Sequence, residues 1–258
     1  MTSDIFDLPL VVFAVALLVL WLAAQLGDRL RRRHAQLKGD ERADFGDILA
    51  ATLTLLGLIV GFTFSMAVNR YDQRKNYEEA EANAIGTEYV RAGLLPAADA
   101  ATVREALAKY LEQRVMFYTV VDAGQLRQIS AETAKLQAEM WSVVQAAATA
   151  QPTPVVALAV SGMNDVMNAQ GYTQAAWWNR IPIAAWVLMV AIAICCNLLL
   201  GYHARRPGAV FFLVLPLTVS IAFFLIADID SPRGGVIRVR PQNLVSLSQT
   251  LNSPPGSR

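Results

Sequence analysis

The chain has 258 residues, 55% apolar and 17% charged, with net charge +1, mean hydropathy +0.37, two Cys and two His. Soluble domains carry about 25% charged residues, so this composition points away from a soluble enzyme. The near-neutral charge argues against a nucleic-acid binder, which would show a basic domain or stripe. Two Cys cannot supply a disulfide framework, and a four-ligand zinc site would use nearly every Cys and His present.

Residues 8–26, 48–68, 181–200 and 209–227 contain no Asp, Glu, Lys or Arg, although the chain has 22 basic and 21 acidic residues. At 1.5 Å rise per residue each run reaches roughly 30 Å as a helix, the thickness of a hydrocarbon core. The expectation is an all-α, multi-pass integral membrane protein with four transmembrane helices. The first run reads as a retained helix and not a cleaved signal peptide. Asp4 and Asp7 precede it without any Lys or Arg, and the basic run 29–33 follows it as a stop-transfer flank. Pro182 is expected in the first turn of the third span, where its missing N–H costs nothing, and Pro216 is expected to kink the fourth.

The chain then divides into a first hairpin (1–68), an extramembrane helical bundle (69–180), a second hairpin (181–227) and a tail (228–258) whose end, 252–258, reads as disordered. The inserted bundle carries 10 Lys and Arg and 12 Asp and Glu, the composition of water-exposed protein. Breakers at 93–96, at Ala123-Gly124 and at Pro152 and Pro154 cut it into four helices. Apolar residues recur at helical spacing in Leu107, Leu111, Arg114, Phe117 and Val121, with one polar place. They recur again in Ile129, Thr133, Leu136, Met140, Val143 and Ala147, and in Val155, Ala159, Gly162, Val166 and Ala169. Thr153 is the expected N-cap of the last helix, with Pro154 at N1. No Gly or Pro separates the second span from residues 69–85, so these form one helix. The last bundle helix runs toward the third span through residues 175–179. Such connections would couple bundle packing to helix position in the bilayer.

Lys and Arg are split across the membrane. Arg29, Arg31, Arg32, Arg33, Lys38, Arg42, Arg205 and Arg206 lie on one side; Arg70, Arg74, Lys75, Arg180, Arg233, Arg238 and Arg240 lie on the other. Their density in the short loops favours an outside N-terminus, with the bundle outside.

The second span holds the most pointed motifs. Gly57 and Gly61 form a GxxxG continued by Ser65, a row of small residues that lets helix backbones approach closely, within a subunit or between subunits. Thr54, Leu58 and Phe62 recur every four residues on one narrow face, as lipid-facing or core residues do and as pore-lining residues that gate by dewetting do. Arg70, Arg74 and Lys75 follow the span, with Glu78 and Glu79 at i+4 from the latter two. This is a salt-bridged helix surface or a cationic vestibule that attracts anions. Asp228 and Asp230 follow the fourth span as oxygen ligands for a hard cation or as a helix-end motif. His34 and His203 fall on one side, and Cys195-Cys196 lies inside the third span, where soft packing is the default. No P-loop, HExxH, GxSxG or CxxC is present, and no cofactor is expected.

Gly61-Phe62, followed by Arg70-Tyr71 and Lys75, resembles the second membrane helix of bestrophins, and the run Leu58-Ile59-Val60-Gly61-Phe62 is similar to their pore-neck helix. The wider layout, EANAIGTEYVRAGLLP at 81–96 and LIADIDSPRGGVIRV at 225–239, resembles the bacterial bestrophin-like membrane family over nearly the whole chain. The resemblance to bestrophins implies a pentameric anion channel with Thr54, Leu58 and Phe62 at the three neck positions, and the resemblance to the bacterial family implies a bacterial inner membrane. Thr54 departs from the bulky apolar residue of the family. The acidic calcium clasp is reduced to Asp228 and Asp230, and the resemblance places the bundle in the cytoplasm, opposite to the charge count. Two functional expectations follow: an oligomeric, anion-selective channel lined by the second span, or a non-conducting sensor or scaffold whose bundle binds a partner or envelope component.

Overall fold

The computed structural model describes residues 8–33, 39–204 and 211–253. Its elements are α1 (Pro9–Arg33), α2 (Gly39–Arg91), a 3₁₀ turn (Ala92–Leu94), α3 (Ala97–Thr119), α4 (Ala123–Ala150), α5 (Pro154–Trp178), α6 (Ile183–His203), α7 (Phe211–Asp230) and α8 (Gln242–Asn252). The fold is all-α, and the helical stretches that contain α1, α2, α6 and α7 are long and apolar enough to cross a membrane. Two compact units result, one from residues 8–71 and 180–238, the other from residues 72–179 and 239–253.

In the membrane unit, Val12 and Leu20 of α1, Leu56 and Ala67 of α2, Trp186, Met189, Ala193 and Cys196 of α6, and Val219, Phe223, Ile226 and Ala227 of α7 form one buried cluster. Lipid is as apolar as these side chains, so close backbone approach and dispersion hold the helices together. Helices α1 and α6 approach closely. A Cβ on Gly27 would collide with the Leu198 carbonyl oxygen, and one on Gly201 with that of Ala24. Beside this crossing Asp28 is buried and accepts from Arg31 at 2.7 Å and Arg32 at 2.8 Å. Burial works against its ionisation, yet the two guanidiniums hold its carboxyl below the usual carboxylate range. Helix α7 continues through Pro216 as a single element.

Pro182 is the N-cap of α6 and stands one residue before the helix, outside its first turn. The expected run of α5 toward the third span is interrupted: α5 stops at Trp178, and Asn179 is extended at φ −73°, ψ 109°. Proline disfavours helical geometry in the residue before it, which here is Ile181, and so sets the upstream limit of α6. By contrast α2 is unbroken past residue 85 and continues to Arg91.

In the helical unit, Leu107, Leu111, Arg114 and Phe117 are buried along α3, whereas Val121 lies beyond its end and is 55% exposed. Val144 takes the buried place expected for Val143, and Val156 that expected for Val155. Three residues of helix turn about 300° and four about 400°, so positions three and four away both lie near the stripe, and packing against the neighbouring helix decides between them. The break before α4 lies at residues 120–122. Asp122 Oδ1 accepts from the Gln125 N–H at 2.8 Å, and this cap starts α4 at Ala123, which places Ala123-Gly124 inside the first turn. Thr153 caps α5, its Oγ1 accepting from the Val156 N–H at 3.2 Å with Pro154 in the first turn. The interior also encloses charged groups. Glu81 of α2 pairs with Arg114 of α3, both fully enclosed, and accepts from Thr173 Oγ1 of α5 at 3.1 Å.

Helix α8 falls within what was expected to be tail, and Glu78 of α2 explains it. Its carboxylate accepts from the N–H groups of Asn243 (2.9 Å) and Leu244 (3.0 Å) and from Asn243 Nδ2 (2.6 Å), satisfying the free donors of the helix N-terminus. Asn252 is the last residue of α8; the rest of the segment expected to be disordered, beyond Ser253, lies outside the described residues.

Gly201→Leu is expected to cost about 1–3 kcal/mol or more by forcing α1 and α6 apart, lowering the thermal unfolding midpoint in detergent. Arg114→Met, which strands a buried carboxylate, is expected to cost about 3–5 kcal/mol, and adding Glu81→Gln to recover a large part of it, read by the same melts.

Candidate pore-lining face of the second helix

Helix α2 advances about 100° per residue, so Leu56, Thr63 and Ala67 lie on one side and Thr54, Leu58, Gly61, Phe62 and Ser65 on the opposite one. The first three are buried in the membrane unit, and Thr63 Oγ1 donates to the Ile59 carbonyl at 2.8 Å. The second set is uncovered: Leu58 is 51% and Phe62 63% exposed, and Thr54 and Ser65 are exposed too. The Thr54 hydroxyl donates to the Ala50 carbonyl at 2.9 Å, which satisfies it within its own helix. A Cβ on Gly57 or Gly61 would meet nothing within 4 Å, so among the described residues of its own chain the small-residue row receives no neighbour. The pair that does admit a neighbour, Gly27 and Gly201, is separated by 174 residues and belongs to no local motif.

The three candidate vestibule cations part company. Arg70 is turned inward and lies 3.6 Å from Asp230. Arg74 is buried and donates through Nε to the Ala176 carbonyl at 3.2 Å and through Nη2 to that of Asn179 at 3.3 Å. Lys75 is exposed. The expected solvated i,i+4 surface is thus an interior feature for Arg74 and Glu78, because both fall on the stripe of α2 that the bundle covers.

Both carboxylates after the fourth span are engaged by the protein. Asp228 accepts from the Val236 N–H at 2.7 Å and the Ile237 N–H at 2.8 Å, and Gly235 allows the approach, since a Cβ there would collide with the Asp228 carbonyl oxygen. Asp230 accepts from Arg180 Nε at 3.2 Å and from the Ile181 N–H at 3.2 Å, besides its pairing with Arg70. It therefore joins the middle of α2 and the segment just before α6 to the end of α7. The sequence signal for this was the position of Arg70, Arg180 and Asp230 at the ends of three spans on one membrane side. Among the described residues no three His, Cys, Asp or Glu side chains are grouped to hold a metal ion. His34, expected on the same side as His203, lies outside the described residues; Cys195 is exposed and Cys196 buried as free thiols.

A family model described as the Bestrophin-like domain matches residues 10–244. Crystal structures of a bacterial bestrophin homologue from Klebsiella pneumoniae share the fold. One is 14% identical over 93% of both chains with a TM-score of 0.61. A second is 14% identical over 92% of this chain and 95% of the other, with a TM-score of 0.60, and a third is 14% identical over 93% and 96%, with a TM-score of 0.62. A search of curated proteins finds no match. Four apolar helices, one fold and a family match over most of the length agree: this integral membrane protein belongs to the bestrophin-like family.

Proposed function

We propose that the protein is an ion channel of a bacterial inner membrane, formed by several copies of the chain, five by resemblance, with α2 of each copy lining an axial pore. The observation that carries this reading is the division of α2 into a bound face and a bare one. A single four-helix subunit encloses no hydrated pore, whereas copies arranged in a ring bring the bare faces together around an axis. Thr54, Leu58 and Phe62 then form the neck. Leu58 and Phe62 are bulky and apolar, so a narrow ring of them resists wetting and opens only when it widens. Gly57, Gly61 and Ser65, beside them on the same surface, let neighbouring copies approach. No cofactor or catalytic step enters this reading.

Anion preference was expected from three cations. With Arg70 and Arg74 engaged by protein acceptors, Lys75 is the one of the three that still faces solvent, so in this reading the preference rests on it. In planar bilayers Phe62→Ala is expected to raise single-channel conductance or abolish closures, whereas a well-folded protein that stays silent contradicts the channel and favours a scaffold built on the long α2. In a salt gradient Lys75→Glu is expected to move the reversal potential toward cations and Arg74→Gln to leave it in place; no movement with Lys75→Glu removes the argument for anions.

A further inference from the structure

Arg74, Glu78, Glu81, Ile85 and Glu88 follow one another on the stripe of α2 that faces the interior of the helical unit, and all five are buried. Glu78 and Glu81 have donors from α8, α3 and α5. Glu88 is different. It is 0% exposed, and neither carboxylate oxygen has a hydrogen-bond partner among the described residues.

Its seat is a glycine. A Cβ on Gly162 of α5 would collide with Glu88 Oε2, and would also stand 2.9 Å from Arg91 Nη1. Thus the carboxyl group lies directly on the α5 backbone, in space that any other residue would fill. Two charged groups act on it. Arg91, almost one turn farther along α2, is 3.7 Å from Asp165 of α5, which competes for its guanidinium. Arg104 of α3 is committed nearby, donating to the Tyr89 carbonyl at 3.1 Å with its guanidinium 5.5 Å from the Tyr89 ring centre.

We propose that Glu88 is a proton-operated latch between α2 and α5. Protonated, it stays seated against Gly162 and the two helices close over it. Deprotonated, it either leaves the interior for water or draws Arg91 from Asp165, and each response loosens the α2–α5 contact, because an ionised carboxylate without donors is costly to keep enclosed.

The direction follows from linkage. Burial pushes the carboxyl up to about 8, Arg91 lowering it and Asp165 raising it, against an ordinary value of 4.5. Between these values the closed form holds a proton that the open form has lost. The closed form is therefore favoured at low pH, loses its advantage as pH rises from about 4.5 to about 8, and changes no further above that. The latch stands whether or not α2 lines a pore, and its test reads packing, not conduction.

The experiment is hydrogen exchange on the full chain in nanodiscs at pH 6 and pH 9, corrected for intrinsic rates, in peptides covering residues 84–92 and 158–166. Protection in the wild type is expected to fall by roughly 10- to 100-fold between the two values, as the linkage window requires. Glu88→Gln, neutral at both, is expected to abolish the drop. Asp165→Asn, which frees Arg91 for Glu88, is expected to shrink it without removing the carboxyl. Wild-type protection that is level across this range, or an equal fall in Glu88→Gln, overturns the latch.

Discussion

Helix α2 is bound along one face only, and the other features of the protein depend on that constraint. Leu56, Thr63 and Ala67 point into the membrane unit, and Arg74, Glu78, Glu81, Ile85 and Glu88 into the helical unit. One helix therefore belongs to both cores. Its opposite face, Thr54 through Ser65, gains nothing from its own chain, although lipid or a neighbouring copy satisfies an apolar surface equally well on hydrophobic grounds. What separates these two partners is shape. Open glycines at 57 and 61 beside Leu58 and Phe62 make a surface of small and large residues, which close packing between helices uses and fluid lipid does not need.

Among the described residues, the buried charges other than Glu88 are held by partners within the chain. Asp230 gathers Arg70, Arg180 and the Ile181 N–H, Asp228 ties down the backbone of residues 236–237, Glu81 holds Arg114, and Glu78 caps α8. Asp230, Glu81 and Glu78 join segments far apart in sequence, and Asp228 closes a short loop after α7. Partial burial strengthens such pairs, and removing one member leaves the other without compensation. The carboxylates after the fourth span therefore serve as fasteners, and the cations after the second span contribute less to the solution-facing field than their number implies. Glu88 is the member of this set without a donor, which is why protonation is the state that suits its surroundings.

Much of this architecture was legible from the chain. Four charge-free runs announced the spans because charge is excluded from lipid regardless of tertiary contacts. The Thr153-Pro154 cap and the stripes of α3 to α5 were legible because their signals are local. Where the reading slipped, distant residues decided. Val144 for Val143 and Val156 for Val155 are rotations set by the neighbouring helix. Helix α8 needed Glu78, some 165 residues away in sequence, to satisfy its first N–H groups. Gly27 and Gly201 escaped notice because each is an isolated glycine, whereas Gly57 and Gly61 stood out as a motif yet touch nothing in their own chain. Arg74 read as surface because i,i+4 charges normally are, and only the fold shows that its side of α2 is covered.

The central claim is that the bare face of α2 points at a symmetry axis. Electron cryo-microscopy of the full chain in lipid nanodiscs tests it most directly. The expected result is a closed ring of copies in which α2 stands innermost, with Leu58 and Phe62 of every copy converging on the axis and Leu56, Thr63 and Ala67 turned away. A monomer, or a ring whose axis is surrounded by α1, α6 or α7, would contradict it.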